Sequence, residues 1–190
     1  MKNLILLILL FSPILAFSQV TWGTKGGANI TTLGDFSSGY NPMLRLHAGF
    51  LYQQRLEEQY GLSIEIQYSM QGASSATISR QYLAYNYINL PVLLKIYFRE
   101  EVFAEIGPQF GYLLFATLHD DGLKQLVTDT IRRFDLAALV GVGKETDFGN
   151  YGARAGVGIT NTSGGLIVNN IVFRNLLLQF YVGFTLGQLK

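Results

Sequence analysis

The sequence predicts an all-β fold, an eight-stranded antiparallel up-and-down transmembrane β-barrel. Three observations lead there. Apolar and polar residues alternate with period two over long stretches, which separates them onto the two faces of a strand. Short polar connections alternate with long ones along the chain. Hydrophobic residues make up 49% and charged residues only 14%, against roughly 25% charged in ordinary soluble domains.

The chain opens with a different kind of segment. Met1-Lys2-Asn3 is a short positive start, and residues 4–17 are apolar except for Ser12 and Pro13. Ala16 and Ser18 supply small residues two apart. This pattern predicts a secretory signal over residues 1–18, cleaved after Ser18, with the barrel domain at 19–190. The alternative, an N-terminal membrane anchor, suffers from a run too short to span comfortably. Without Lys2 the exported chain carries 13 positive and 13 negative groups. That balance gives no basic footprint for nucleic acid. With no cysteine there is no disulfide, thiolate metal site or lipid-anchoring thiol.

Strand by strand, residues 60–71 alternate most cleanly: Tyr60, Leu62, Ile64, Ile66, Tyr68 and Met70 oppose Gly61, Ser63, Glu65, Gln67, Ser69 and Gln71. Residues 102–114 set Val102, Ile106, Phe110 and Tyr112 against Glu105, Gln109 and Gly111. Residues 133–143 set Phe134, Leu136, Val140 and Val142 against Asp135, Gly141 and Gly143. Residues 151–159 set Tyr151, Val157 and Ile159 against Arg154 and two glycines, Gly156 and Gly158. Residues 176–187 set Leu178, Phe180, Val182 and Phe184 against Gln179, Tyr181 and Gly183. Three further stretches, 20–30, 44–56 and 88–98, are less regular. They place Trp22, Leu46 and Ile96 on one face and Lys25, Arg45, His47 and Lys95 on the other. Each stretch is near the ~9–11 residues that a tilted strand needs to cross a bilayer. The turns at 55–59, 99–101 and 145–150 are short, and the connections at 31–42, 72–81, 118–132 and 161–174 are long. Outer-membrane barrels are built with that asymmetry, short turns periplasmic and long loops outside.

Closure fixes which face is inside. A sheet crossing lipid must pair every backbone group and so must close on itself. Eight strands leave an interior that side chains just fill. The polar face therefore predicts a lumen network of Lys25, Arg45, His47, Glu65, Gln67, Lys95, Glu105, Gln109, Asp135, Arg154 and Gln179. On the outer face, Trp22, Tyr52, Tyr60, Phe98 and Tyr151 fall near the short turns, while Tyr68, Tyr112 and Phe134 fall nearer the long loops. These predict two aromatic girdles at the lipid–water boundaries. A soluble lipocalin-like ligand-binding barrel shares the period and stays open as an alternative.

Three stretches carry a family resemblance: Trp22-Gly-Thr-Lys-Gly-Gly-Ala-Asn-Ile30, Tyr87-Ile-Asn-Leu-Pro-Val-Leu-Leu-Lys-Ile-Tyr97 and Glu105-Ile-Gly-Pro-Gln-Phe-Gly111. In these, and across essentially the whole mature chain, the sequence resembles the PorT-type outer-membrane β-barrel proteins of the Bacteroidetes. The resemblance implies an outer-membrane barrel. The family's namesake is associated with protein secretion and gliding, a role that does not transfer on barrel similarity alone. Such barrels often finish with an aromatic near the carboxyl end, and here Phe184 is the nearest.

Candidate chemistry is sparse. His119-Asp120-Asp121 in the third long loop offers too few ligands for zinc, which takes about three or four. His47, with Ser69, Ser74 or Ser75 beside it, could form a rim-located lipid-modifying site. A lumen histidine is the simpler reading. The glycines from Gly23 to Gly27 and at Gly141 and Gly143 lie inside strands, where no helix follows to make a phosphate loop. No metal or cofactor is expected, and no enzymatic activity. The function that follows is a monomeric barrel with a plugged lumen, surrounded by outer-membrane lipid. Its four long loops would meet an envelope or extracellular protein through Phe36, Tyr40 and Phe173. A small-solute channel is the competing role.

Overall fold

The computed structural model describes residues 19–34, 39–99, 101–161 and 174–189. The signal segment and the loop aromatics Phe36 and Phe173 lie outside the described residues.

Among the described residues nine strands are present: β1 Gln19–Leu33, β2 Tyr40–Arg55, β3 Tyr60–Ser75, β4 Tyr82–Tyr97, β5 Val102–Asp120, β6 Leu123–Leu126, β7 Phe134–Thr146, β8 Gly149–Gly158 and β9 Asn175–Leu189. Eight of them form one ring in the order β4-β3-β2-β1-β9-β8-β7-β5, and pairing of β4 with β5 closes it. Every neighbouring pair is antiparallel. The short β6 folds back on the far end of β5, pairing Leu126 with Thr117 and Leu123 with Asp120. The fold is thus the up-and-down barrel, plus one small hairpin extension. Among the described residues no helix is long and apolar enough to cross a membrane; the strands do the crossing.

Alternation becomes burial. On β3, Gly61, Ser63, Glu65, Gln67, Ser69 and Gln71 are buried, while Tyr60, Ile66, Tyr68 and Met70 are exposed. The wall presents exposed Leu46, Phe50, Ile106, Phe110, Val140, Val157 and Phe180 to the surroundings. In water this surface would be a severe liability; in lipid it is the solvated face.

The strands run farther at the long-loop end than the alternation suggests. Residues 72–75 and 118–120, placed in loops by the pattern, belong to β3 and β5, and β2 starts at Tyr40 instead of 44. Irregularities explain the difference. Between Asn86 and Tyr87 of β4 the register on β5 jumps from Phe115 to Leu113, so Leu114 and Phe115 both face out. Gly72 has φ +145°, and a Cβ there would fall 2.1 Å from the Leu83 carbonyl oxygen. The bulge on β5 breaks period two without ending the pairing.

A further irregularity separates β2 from β3 between Pro42 and His47. Side chains from β1 repair the ladder. Asn29 Nδ2 donates to the Met70 carbonyl at 3.0 Å. Thr31 Oγ1 donates to the Gly72 carbonyl at 2.8 Å and accepts from the Gly72 N–H at 3.0 Å. Backbone groups without a strand partner are thereby satisfied from within.

The wall's lipid contact is testable. Val140→Arg places a charge on the outer face of β7. It is expected to lower the unfolding free energy in lipid vesicles by about 2–4 kcal/mol, measured by urea titration, if Val140 lies near the midplane.

Candidate functional site

The lumen is organised around Arg154 of β8, which is fully buried. Its guanidinium bridges two carboxylates from other walls. Nη1 donates to Glu65 Oε2 at 3.0 Å and Nη2 to Glu65 Oε1 at 2.9 Å. Nε donates to Glu105 Oε1 at 2.9 Å, with Nη2 reaching Glu105 Oε2 at 3.3 Å. The planar fork of arginine suits this double engagement. Lys25 adds a second cation 2.7 Å from Glu65 Oε1 and sits 3.3 Å from the centre of the Tyr181 ring. The Tyr181 hydroxyl donates to Glu105 at 2.9 Å. Ser63 and Gln67 also donate to Glu65. Gly141 leaves the room this needs, since a Cβ there would lie 2.7 Å from Arg154 Cβ and 2.9 Å from Glu105 Oε1.

A second cluster closes the short-turn end. Lys95 pairs with Glu145 at 3.2 Å and lies 3.8 Å from the centre of the Phe103 ring. The Tyr97 hydroxyl donates to Glu145 at 2.6 Å, and Arg55 stacks 3.7 Å from the Tyr97 ring centre. Above Arg154, amides take over. Asn29 donates to Ser69 at 3.0 Å, and Gln179 donates to Asn29 at 2.9 Å and to Gln67 at 3.4 Å. Leu93, Leu139 and Leu177 pack together at the centre. Asp135 accepts from Asn175 at 2.8 Å and from Thr160. At the long-loop end Leu33, Ala73, Tyr85, Tyr87, Leu113 and Ala116 form a buried apolar plug, covered by Leu83, Val127 and Ile131.

Several residues take places the sequence did not foretell. Arg45 joins no ion pair; its Cζ lies 5.4 Å from the centre of the Tyr82 ring instead. Asp135 is held by an amide and a hydroxyl, not by a cation. Tyr40 lies at the first position of β2 and not in a loop, and it packs partly buried against the apolar plug. His119 and Asp120 end β5 instead of lying in a loop, and His119 stacks on Tyr82 with ring centres 4.3 Å apart. His47 is buried opposite Ser69, yet neither ring nitrogen has a hydrogen-bond partner, and Ser69 accepts from Asn29 and Gln71. No His–Ser pair is formed, and neither group faces lipid. Gln109 is buried with its carbonyl oxygen unpartnered.

The polar network that the sequence predicts leaves out Glu145, Tyr97 and Asn175, and also Tyr181, although Tyr181 stands on its polar face. Glu145 has the same parity as Asp135 on β7, but lies beyond Gly143, where the alternation ends and β7 continues. On the outer wall Trp22, Tyr60, Phe98 and Tyr151 are exposed towards the short turns, with Tyr52 half-buried. Tyr68, Tyr112 and Phe134 are exposed towards the other end, the last two in edge-to-face contact at 5.2 Å. Among the described residues no three His, Asp or Glu side chains are grouped to hold a metal ion.

Comparison with protein families then gives a match to the outer membrane protein beta-barrel domain over residues 16–164. The chain belongs to that family. The match stops short of β9, which this barrel nevertheless needs, since β9 joins β1 to β8. No curated protein matches the chain. Among solved structures, Neisserial surface protein A is similar with a TM-score of 0.58 at 10% identity, covering 89% of this chain and 99% of that one. The attachment invasion locus protein of Yersinia pestis, solved with the heparin analogue sucrose octasulfate, aligns at TM-score 0.47 and 9% identity over 88% of this chain and 100% of that one. This member of the outer-membrane barrel family is accordingly an outer-membrane protein.

The Arg154 cluster should dominate stability. Arg154→Met strips the shared cation from two buried carboxylates and is expected to cost about 3–5 kcal/mol in urea unfolding. Glu145→Gln, at the partly open mouth, should cost markedly less.

Proposed function

We propose that this outer-membrane barrel has a structural and binding role, not a catalytic or conducting one, and works through its long loops and outer wall. The observation that carries the reading is the filled interior. Ion pairs, amides and an apolar plug succeed one another from the short-turn end to the long-loop end. An eight-stranded barrel has no cross-section left for solute once such side chains are in place. A lipid-modifying role built on His47 lacks support, because neither of its ring nitrogens is hydrogen-bonded to a serine.

Within this reading residues 1–18 are an export signal cleaved after Ser18, the mature barrel is monomeric, and the short turns face the periplasm. The outer faces of Trp22, Tyr52, Tyr60, Phe98 and Tyr151, and of Tyr68, Tyr112 and Phe134, form the two interfacial girdles. The residue patterns quoted above favour the PorT-type barrels of the Bacteroidetes as its nearer kin. An envelope complex or an extracellular protein is then the natural partner for the long loops.

Planar-bilayer recording tests the reading. The purified barrel is expected to give no steady single-channel conductance; reproducible openings would establish a channel instead. Amino-terminal sequencing of the outer-membrane fraction should begin at Gln19, and retention of Met1 would remove the cleaved export signal from the reading.

A further inference from the structure

The long-loop rim holds a cation that the barrel leaves without an acid. Among the described residues, Lys25, Arg55, Arg80, Lys95, Arg133, Lys144 and Arg154 each meet a carboxylate within 4.0 Å. Arg45, Arg99, Lys124, Arg132 and Arg174 meet none, and of these five Arg45 alone is half-buried while the others are exposed. The Arg45 Nε is buried with no hydrogen-bond partner, and Nη2 reaches only the Met43 sulfur at 3.7 Å. A partly buried guanidinium without an anion is electrostatically incomplete.

Its surroundings suit an anion. The Arg45 Cζ sits 5.4 Å from the Tyr82 ring centre, and His119 stacks on that ring with planes 9° apart. Tyr82, His119 and Lys124 are register partners on β4, β5 and β6, so they share one face. Leu83, the next residue, packs against the interior plug, so the Tyr82 face is the outer one. Beside Tyr82 a cleft of about 390 Å³ is lined by Ser74, Ser75, Thr77, Ser79 and Arg80. The hydroxyls there can bind sugar hydroxyls, and Arg80, paired with Asp121 at 3.3 Å, borders them. Directly beside Arg45, Leu44 and Leu46 are among the more exposed residues of the wall, at 72% and 62%.

Among the described residues, cations at this end also outnumber acids: Arg45, Arg80, Lys124, Arg132, Arg133 and Arg174 against Asp120, Asp121, Asp129 and Asp135. Among the described residues of the short-turn end the balance reverses, with Glu57, Glu58, Glu101, Glu145 and Asp147 against Arg55, Lys95, Arg99 and Lys144.

We propose that Arg45, Tyr82 and His119, with the adjoining hydroxyl-lined cleft, bind the phosphorylated sugar headgroup of an outer-leaflet glycolipid whose acyl chains lie along Leu44 and Leu46. The apolar wall immediately beside the cation selects a lipid over a free anion. This site rests on the long loops facing outward.

Orientation is tested first and separately. The chain has no cysteine, so Ser79→Cys offers a single thiol. Labelling of intact cells by a membrane-impermeant maleimide is expected; its failure, in cells whose lysate does label, would overturn the outward assignment and the site with it. Binding is then measured by native mass spectrometry of the mature barrel in micelles. The probes are bisphosphoryl lipid A, its phosphate-free counterpart, inorganic phosphate and dextran sulfate. Bisphosphoryl lipid A should be retained about tenfold more tightly than the phosphate-free lipid, and Arg45→Gln and Tyr82→Ala should each erase about that factor. Arg99→Gln, at the opposite end, should bind as wild type. Heat-modifiability on a gel verifies that each variant is folded, and a paired His119→Gln, Lys124→Gln variant replaces any that is not. Equal retention of the two lipids, or undiminished binding by the folded variants, overturns the proposal. Inorganic phosphate held as tightly as lipid A, or capture of dextran sulfate without lipid A, overturns it in favour of a free-anion or polysaccharide site.

Discussion

The structure depends on one shared cation. Arg154 holds Glu65 and Glu105 at once, across sequence separations of 89 and 49 residues. Lys25 and Tyr181 complete the cluster, so five of the eight wall strands meet at this point. None of these groups is tolerable alone in a dry lumen, where an unpaired charge costs several kcal/mol. Only the closed ring brings them together. The network therefore couples strands that share no backbone hydrogen bond, and gives the final geometry an advantage over open or misregistered sheets.

That solution also fixes where function can reside. The interior of an eight-stranded barrel is either packed or wasted, and here it is packed with paired charges, amides and leucines. Residues so committed are poor candidates for catalysis or transport, because moving any one of them exposes its partner. The outer wall and the rim of the long-loop end carry no such obligation. On the proposed reading the barrel is an anchor whose stability is internal and whose recognition is peripheral.

Much of this was legible in the sequence, for a physical reason. Where a strand crosses lipid, one face must be apolar and the other can afford polarity, so the period-two pattern of residues 60–71 reads off directly as burial on β3. The inward parity of Lys25, Glu65, Glu105 and Arg154 followed from the same rule. What parity cannot give is partnership. Nothing local says that Lys95 meets Glu145 and not Glu105, or that Asp135 is served by Asn175 and Thr160. Those pairings depend on strand stagger around the closed ring, a long-range property. Arg45 shows the limit most clearly: its parity matches the lumen cations, yet the broken β2–β3 register takes its side chain to Tyr82.

Most departures from strict alternation lie towards one end of the barrel, although the register shift between Trp22 and Gly23 against β9 lies at the other. The bulge at Leu114, the positive φ of Gly72 and the β2–β3 irregularity all lie towards the long loops. Beyond the bilayer the demand for an apolar outer face lapses, and so does the pressure to keep strict alternation. Hydrogen bonding continues there, carried by longer strands, by Asn29 and Thr31 reaching to β3, and by β6 folding onto β5. Sequence pattern thus tracks the membrane, whereas the sheet tracks backbone satisfaction. The zone where the two part company is the zone freed from lipid, and it is where Arg45, Tyr82 and His119 are gathered.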